Sequence, residues 1–463
     1  MSVSIAELLR SRRDDKFALH EQYLNQQMVR VLRTIGYDRL YTRAEGPYLY
    51  DEADHRYLDL LSGFGVFALG RNHPTVKAAL REVLELDLPD LVQMDVSLLA
   101  GVLAEKLVQR TPAPLTRLFF CNSGAEAVEA AIKFARYTTG RSRILYCEHA
   151  FHGLTMGALS LNGEEIFRQG FGPLLPDCEA IPFNDLEALE RALRTRETAA
   201  FIVEPIQGKG VNLPDDDYLA EAARLCRKHG ALFVADEIQT GLGRTGRLWA
   251  VEHWNVEPDM LLMAKALSGG FVPVGAVAMT AKIMDKVFNR MDRAVVHGST
   301  FSKNNMAMAA GIATLEVLES ENLIANAARQ GEAMLAQLNE LAQRYEFFHQ
   351  ARGRGLMIAL EFGKPQSFKL KTAWNLLETA NRGLFSQMIT IPLFKKHRIL
   401  SQVAGHGMNV VKFLPPLVIG DDDRRWIVEA MDDVLADCHQ VPGAIWDLGK
   451  TLAGHAIKAR KSA

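Results

Sequence analysis

Four short apolar runs in this chain each end on residues able to do chemistry. The run 118–121 leads into Asn122-Ser123-Gly124-Ala125-Glu126. The run 199–203 leads into Glu204 and Pro205, 231–235 into Asp236 and Glu237, and 260–264 into Lys265. A lysine inside an apolar stretch is unusual, because a buried ammonium needs a partner or gives up its charge. Desolvation lowers its pKa and leaves a nucleophilic amine. Ser123 with Glu126 three residues on is a capping-box pattern. Small residues at a helix start let backbone N–H groups approach an anion, and the helix dipole favours a phosphate there. Together the four ends offer a phosphate cradle, two carboxylates and an amine.

That set fits a Schiff-base cofactor. A lysine amine condenses with the aldehyde of pyridoxal 5'-phosphate, a carboxylate keeps the pyridine nitrogen protonated, and the ring becomes an electron sink. Each element alone has a plainer reading, as a capped helix or as an acid that merely starts a loop. Two motifs point elsewhere. Gly241-Leu242-Gly243-Arg244-Thr245-Gly246 matches the dinucleotide string GxGxxG after an apolar run. It opens no capped amphipathic helix, and two acids precede it where a pyrophosphate would be repelled. His149 and His152 are spaced HxxH, but no second cluster matches a metal site. A structural or stacking role is the expectation for them, and no metal is expected.

Positioning such residues requires parallel strands, since ligands bind outside the carboxyl ends of an open parallel sheet. From about residue 74 to 323 apolar runs alternate with helix-length amphipathic segments. Wholly apolar runs mark strands buried on both faces, and the alternation implies an α/β domain with a mostly parallel sheet. Residues 1–45 read as one or two amphipathic helices and 48–60 as a hairpin around a polar turn at 51–55. Further on, 312–345 reads as one long helix, 352–363 as a strand, 409–420 as a strand stopped by Pro415 and Pro416, and 421–438 as a helix. The division expected is 1–70, a helical segment and hairpin belonging to a small domain; 71–325, a large cofactor-binding domain; and 326–463, a small α+β domain with a tail.

The stretch 261–281 carries one charge, Lys265, over a length that could span a bilayer. Its three glycines and Pro273 fit a buried strand, a turn and a second strand better. With 53 basic and 55 acidic residues the formal charge is −2, which leaves no overall basic footprint for nucleic acid. The 5 cysteines form no CxxC pair and are too sparse for a disulfide scaffold. The first residues contain no apolar core of a secretory signal, so a reducing, cytoplasmic setting is expected.

From about Tyr48 to Leu435 the sequence resembles the class III pyridoxal-phosphate aminotransferases of fold type I, the ornithine, acetylornithine and putrescine type. The most specific block is LFVADEIQTGLGRTGRLWAVEHWNVEPDMLLMAKALSGGFVPVGAV at 232–277. FFCNSGAEAVEAAIKFAR, HAFHGLTMGALSL, FIVEPIQGKGV and HGSTF support it. The resemblance implies that Lys265 forms the Schiff base and shuttles a proton, and that Asp236 pairs with the pyridine nitrogen. It implies that Phe151 stacks on the ring, Ile238 packs the other face and Gln239 reaches the phenolic oxygen. Ser123, Gly124 and Ala125 would hold the phosphate. His152 and Glu204 would join the cofactor contacts, Glu204 on the substrate side. Ser299 and Thr300 would reach the phosphate of a neighbouring subunit, making a homodimer with shared sites.

Departures from the pattern bear on the substrate. Where the ornithine type has an arginine before PPL, an arginine after the stacking block and a tyrosine in the early Gly-rich loop, this chain has Lys412, Leu154 and Phe64. Lysine cannot reproduce the guanidinium fork on a carboxylate. The expectation is a primary amine donor with no carboxylate at the reacting carbon: the terminal amine of a polyamine, amino alcohol or ω-amino acid. The acceptor would be 2-oxoglutarate or pyruvate, its carboxylate on Lys412. Ornithine-like donors are the alternative, as are decarboxylases, racemases or aminomutases on the same fold. The run after HGSTF, SKNNM, also departs from the usual Gly-Gly-Asn-Pro.

Overall fold

The computed structural model describes residues 4–440, 442–443 and 445–453. The rest of the expected tail lies outside the described residues. An antiparallel hairpin opens the sheet structure: β1 (Tyr41–Glu45), β2 (Tyr48–Asp51) and β3 (Arg56–Asp59). The central sheet contains β4 (Arg117–Cys121), β5 (Arg143–Cys147), β6 (Cys178–Ile181), β7 (Thr198–Val203), β8 (Leu232–Asp236), β9 (Met260–Met263) and β10 (Gly275–Met279). Its order is β4-β10-β9-β8-β7-β5-β6. Only β10 runs antiparallel to its neighbours. Every residue of β7, β9 and β10 is buried, as the wholly apolar runs require. The chain is therefore an α/β protein with a mostly parallel sheet. No helix among the described residues is long and apolar enough to cross a membrane, and 261–281 folds as β9, a turn and β10.

A second antiparallel sheet joins β11 (Phe348–Arg354), β12 (Met357–Phe362), β14 (Gln402–Val403) and β15 (Val410–Phe413). Between them in the chain, β13 (Ile399–Leu400) pairs in parallel with β3, tying the N-terminal hairpin to the C-terminal region. The stretch 352–363 is thus half of a hairpin rather than one strand. Gly355 turns it at φ 52°, and a Cβ there would lie 2.3 Å from the carbonyl carbon of Thr245. The helix expected at 312–345 is two, Asn305–Ser320 and Leu323–Arg344, broken where Asn322 takes a left-handed conformation. The N-terminal region holds three short helices, Ile5–Ser11, Lys16–Tyr23 and Gln26–Ile35, of which only Val29 is buried. Within the tail, Ile445, Trp446 and Leu452 are buried.

Helix Gly124–Thr139 shows how sequence places the site. Ser123 caps its start through Glu126 N–H at 3.1 Å, and left-handed Gly140 ends it. Val128, Ala131, Ile132 and Ala135 are buried as one face. The Glu126 carboxylate reaches one residue beyond the capping box, to the N–H of Asn122 at 2.8 Å. At the other side of the cavity, buried Asp59 holds the Gly-rich loop that carries Phe64. It accepts from Leu61 and Ser62 N–H and from the Arg71 guanidinium, 2.6 Å away. Changing Asp59→Ala removes the buried partner of both the turn and Arg71. Urea unfolding should show a loss of about 3 kcal/mol; a loss below about 1 kcal/mol would mean that the loop does not depend on this carboxylate.

Candidate active site

A cavity of about 890 Å³ opens at the carboxyl ends of β4, β5, β7, β8 and β9. Ser123, Gly124, Ala125, Phe151, His152, Glu204, Asp236, Ile238, Gln239, Lys265, Phe64 and Lys412 all line it. Five separate segments of sequence, with the second sheet, thus converge on one space.

Lys265 follows β9 and opens a 3-10 turn, Lys265–Ser268, at φ 40°. A left-handed conformation is costly for a residue with a Cβ, and such outliers cluster at functional sites. Its ammonium makes no hydrogen bond or ion pair with the described residues. Burial lowers its pKa, against the pull of the Asp236 and Glu204 carboxylates. Asp236, the last residue of β8, is 3% exposed. One of its oxygens meets His152 Nδ1 at 2.7 Å, and the other accepts from Ile238 N–H at 3.1 Å. Burial alone would lower the pKa of His152, but the bond to Asp236 outweighs it and the net shift is upward. His152 is therefore the partner that orients Asp236; its Nε2 is buried without a partner. Glu204 is buried too and accepts from the N–H groups of Phe151 (3.0 Å) and Gly208 (2.7 Å). Desolvation pushes its pKa up.

The floor is closely built. A Cβ on Gly124 would fall 2.9 Å from Ile238, and one on Gly275 would fall 2.5 Å from the carbonyl oxygen of Ser123. By helix geometry the N–H groups of Gly124 and Ala125 have no intrahelical acceptor. The N-terminus of helix Gly124–Thr139 so offers free donors and a positive dipole end to a phosphate. An unpartnered amine lining the cavity, a carboxylate held in place by an imidazole, and a phosphate cradle fit pyridoxal phosphate. Lys265 would hold its aldehyde carbon, Asp236 its ring nitrogen, and Ser123 to Ala125 its phosphate.

On the far wall, Lys412 from β15 is buried and donates to the Gly208 carbonyl at 2.7 Å and to Gln239 Oε1 at 3.4 Å. Burial and the nearby Lys265 bring its pKa down to about 7. Gln239 also donates to the Phe64 carbonyl at 3.0 Å, linking that loop to Lys412. Three expected residues stand apart. Leu154 is 57% exposed and does not line the cavity. Ser299 lies outside it as well and accepts from Asn122 Nδ2 at 2.5 Å, while Thr300 is exposed.

The glycine string at 241–246 forms turns, not a helix. Its Arg244 is buried and donates to the Leu356 and Pro415 carbonyls, joining the central sheet to the second one. No metal-ligating cluster exists among the described residues. Lys209, Phe167 and His406 line the cavity and were not among the expected residues. Lys209 had one signal, a charge flanked by glycines five residues after Glu204.

A mostly parallel α/β sheet presenting an unpartnered lysine, an aspartate and a helix N-terminus to one cavity defines a fold type I pyridoxal-phosphate enzyme. The model of the family "Aminotransferase class-III" matches residues 34–435, and the chain belongs to that pyridoxal-phosphate-dependent family. It is 38% identical over 411 residues to an ornithine aminotransferase of Bacillus cereus, covering 85% of this chain and 93% of that one. It is 34% identical over 454 residues to the aminotransferase PigE of a Serratia species, covering 91% of this chain. The match spans about half, 53%, of PigE. The ornithine aminotransferase of Toxoplasma gondii superposes with a TM-score of 0.81 at 32% identity, covering 94% of this chain and 98% of that one. An amine transaminase from an uncultivated Pseudomonas species, solved with pyridoxal phosphate bound, gives a TM-score of 0.73 at 30% identity, covering 86% and 95% of the two chains.

The His152–Asp236 pair has a pH signature. Because the folded pKa of His152 is raised, its contribution is complete below the ordinary histidine pKa and is lost as pH rises through the raised value. Urea unfolding of wild type and His152→Gln between pH 5 and 9 should show a gap of about 3 kcal/mol at the acid end, narrowing upward. A gap independent of pH would assign the benefit to packing instead of charge.

Proposed function

We propose that this aminotransferase takes its amino group from a primary amine whose reacting carbon bears no carboxylate. The donors would be the terminal amines of a polyamine, an amino alcohol or an ω-amino acid, and the acceptor a 2-oxo acid such as 2-oxoglutarate or pyruvate. The observation that carries this is the substrate wall. The second sheet brings Lys412 to this wall, and two of its three N–H donors go to Gly208 and Gln239, leaving one for a substrate. Among the described residues no arginine lines the cavity. An ammonium, unlike a guanidinium, gives no bidentate grip on a carboxylate.

Bound pyridoxal phosphate supplies the electron sink that makes the donor's C–H bond acidic. Asp236, held by His152, keeps a negative charge at the ring nitrogen. With the cofactor bound, Lys265 Nζ would take the proton from the donor's reacting carbon; burial lowers its pKa, which suits that role. Phe151 and Ile238 would pack against the ring, and Gln239 would hold its phenolic oxygen. In the second half-reaction Lys412 holds the carboxylate of the oxo acid. Residues 71–325 act as the cofactor-binding domain, with 1–70 and 326–463 forming the small domain.

The working unit is a cytoplasmic homodimer, with Ser299 and Thr300 serving the phosphate of the partner. Exposed Met94, Val96, Val295 and Phe301 on neighbouring segments support such a contact. The names of the relatives favour a second reading, ornithine as donor.

Two measurements decide. Purified protein should show a visible cofactor band that Lys265→Ala lacks, with activity down about 10²–10⁴-fold. Loss of that band on mixing should be faster with terminal monoamines and amino alcohols than with ornithine, and Lys412→Arg should move the preference toward ornithine about tenfold. Comparable rates with ornithine in the wild type would establish the second reading.

A further inference from the structure

The loop after β7 carries a charge that the reaction above does not use. Lys209 lines the cavity next to Gly208. Its Nζ is buried and has no hydrogen-bond partner among the described residues. It lies 3.9 Å from the centre of the Phe167 ring and 5.5 Å from that of Phe151. Aromatic faces attract a cation, and more strongly where water is excluded. Burial pushes the lysine pKa down, and the carboxylates of Glu164 and Glu204 push it back. Neither acid is free to pair with it. Glu164 is bonded to His149, and Glu204 to two backbone N–H groups.

Lys412 faces the same space and repels Lys209 across it. The two differ in their commitments. Lys412 spends two protons on Gly208 and Gln239, whereas Lys209 has three N–H donors and gives none to the protein. The position is set by the backbone. A Cβ on Gly208 would come within 2.7 Å of Gln239 and 3.0 Å of Glu204, so the chain passes close to the floor just before Lys209. Around it the lining turns apolar, with Phe64, Phe167, Phe271 and Val272.

From this geometry we infer that Lys209 is a specificity-determining residue that rejects donors carrying a second ammonium at their far end. It accepts donors whose far end is neutral or bears a carboxylate. A second cation would face two lysines lining the same cavity, and like charges at close range repel. An uncharged chain packs along the phenylalanines, and a carboxylate would take up the unused N–H donors. The inference rests on the terminal-amine reading and narrows it: diamines fall out, and amino alcohols, ω-amino acids and simple amines stay.

Three five-carbon donors isolate the charge: pentylamine, 5-aminopentanoate and pentane-1,5-diamine. With the holoenzyme, loss of the cofactor band gives kcat/KM for each. The diamine should be at least tenfold poorer than pentylamine in the wild type. In Lys209→Glu the ratio of diamine to pentylamine should rise at least tenfold and that of 5-aminopentanoate should fall. Lys209→Met should lie between them and serves if the charge reversal fails to fold. If none of the three reduces the cofactor, the same ratios are read from their inhibition of the best donor. Ratios that stay within twofold across the wild type and the variants would overturn the inference, as would a wild type that prefers the diamine. Ornithine is run alongside. Should it outpace pentylamine and yield the 2-oxo acid, so that the α-amine has reacted, the terminal-amine reading fails, while the ratios of the three five-carbon donors still decide the role of Lys209.

Discussion

An amine that lines the cavity at the end of a wholly buried strand, with no acceptor among the described residues, is the constraint on which the site turns. Lys265 is held without a partner and strains the backbone at φ 40°. The surroundings are arranged for that amine to meet an aldehyde. Asp236 and Glu204 stand within electrostatic reach, and each is occupied by donors that keep it from closing onto the lysine. His152 takes the place a solvent shell would fill around Asp236. A stable charge pair between Lys265 and Asp236 would spend the nucleophile; the imidazole and the Ile238 N–H hold the aspartate instead.

The rest of the molecule can be read as support for that arrangement. The strands buried on both faces need helices to cover them, and helix Gly124–Thr139 brings its capped N-terminus to the same rim. Gly124 and Gly275 exist because the floor leaves no room for a Cβ. The second sheet closes the wall with Lys412, and Arg244 fixes that sheet to the first through two backbone carbonyls. A glycine string that matches a nucleotide motif is, in three dimensions, a joint between the two sheets.

The apolar runs at 118–121, 199–203, 231–235 and 260–264 matched β4, β7, β8 and β9 to within a residue, because a strand buried on both faces has no freedom in its pattern, whereas β6, half of it exposed, has no such run. The errors have a common cause. Asn322 and Gly355 interrupt segments whose hydrophobic periodicity continues across them, so one helix became two and one strand became a hairpin. A single residue in a left-handed conformation leaves periodicity almost untouched while reversing the chain.

By itself the sequence determined the chemistry: a lysine, two acids and a small-residue helix start, each at the end of an apolar run, name a cofactor and the family that uses it. Those residues must be of those types because proton transfer, charge neutralisation and phosphate binding each need a particular functional group. Only the tertiary structure decided the partnerships. That His152 serves Asp236, that Lys412 is already engaged, that Leu154 faces away from the cavity and that Lys209 stands unpaired over two rings are matters of a few ångströms. Those distances depend on how segments more than a hundred residues apart pack together, and no local spacing encodes them.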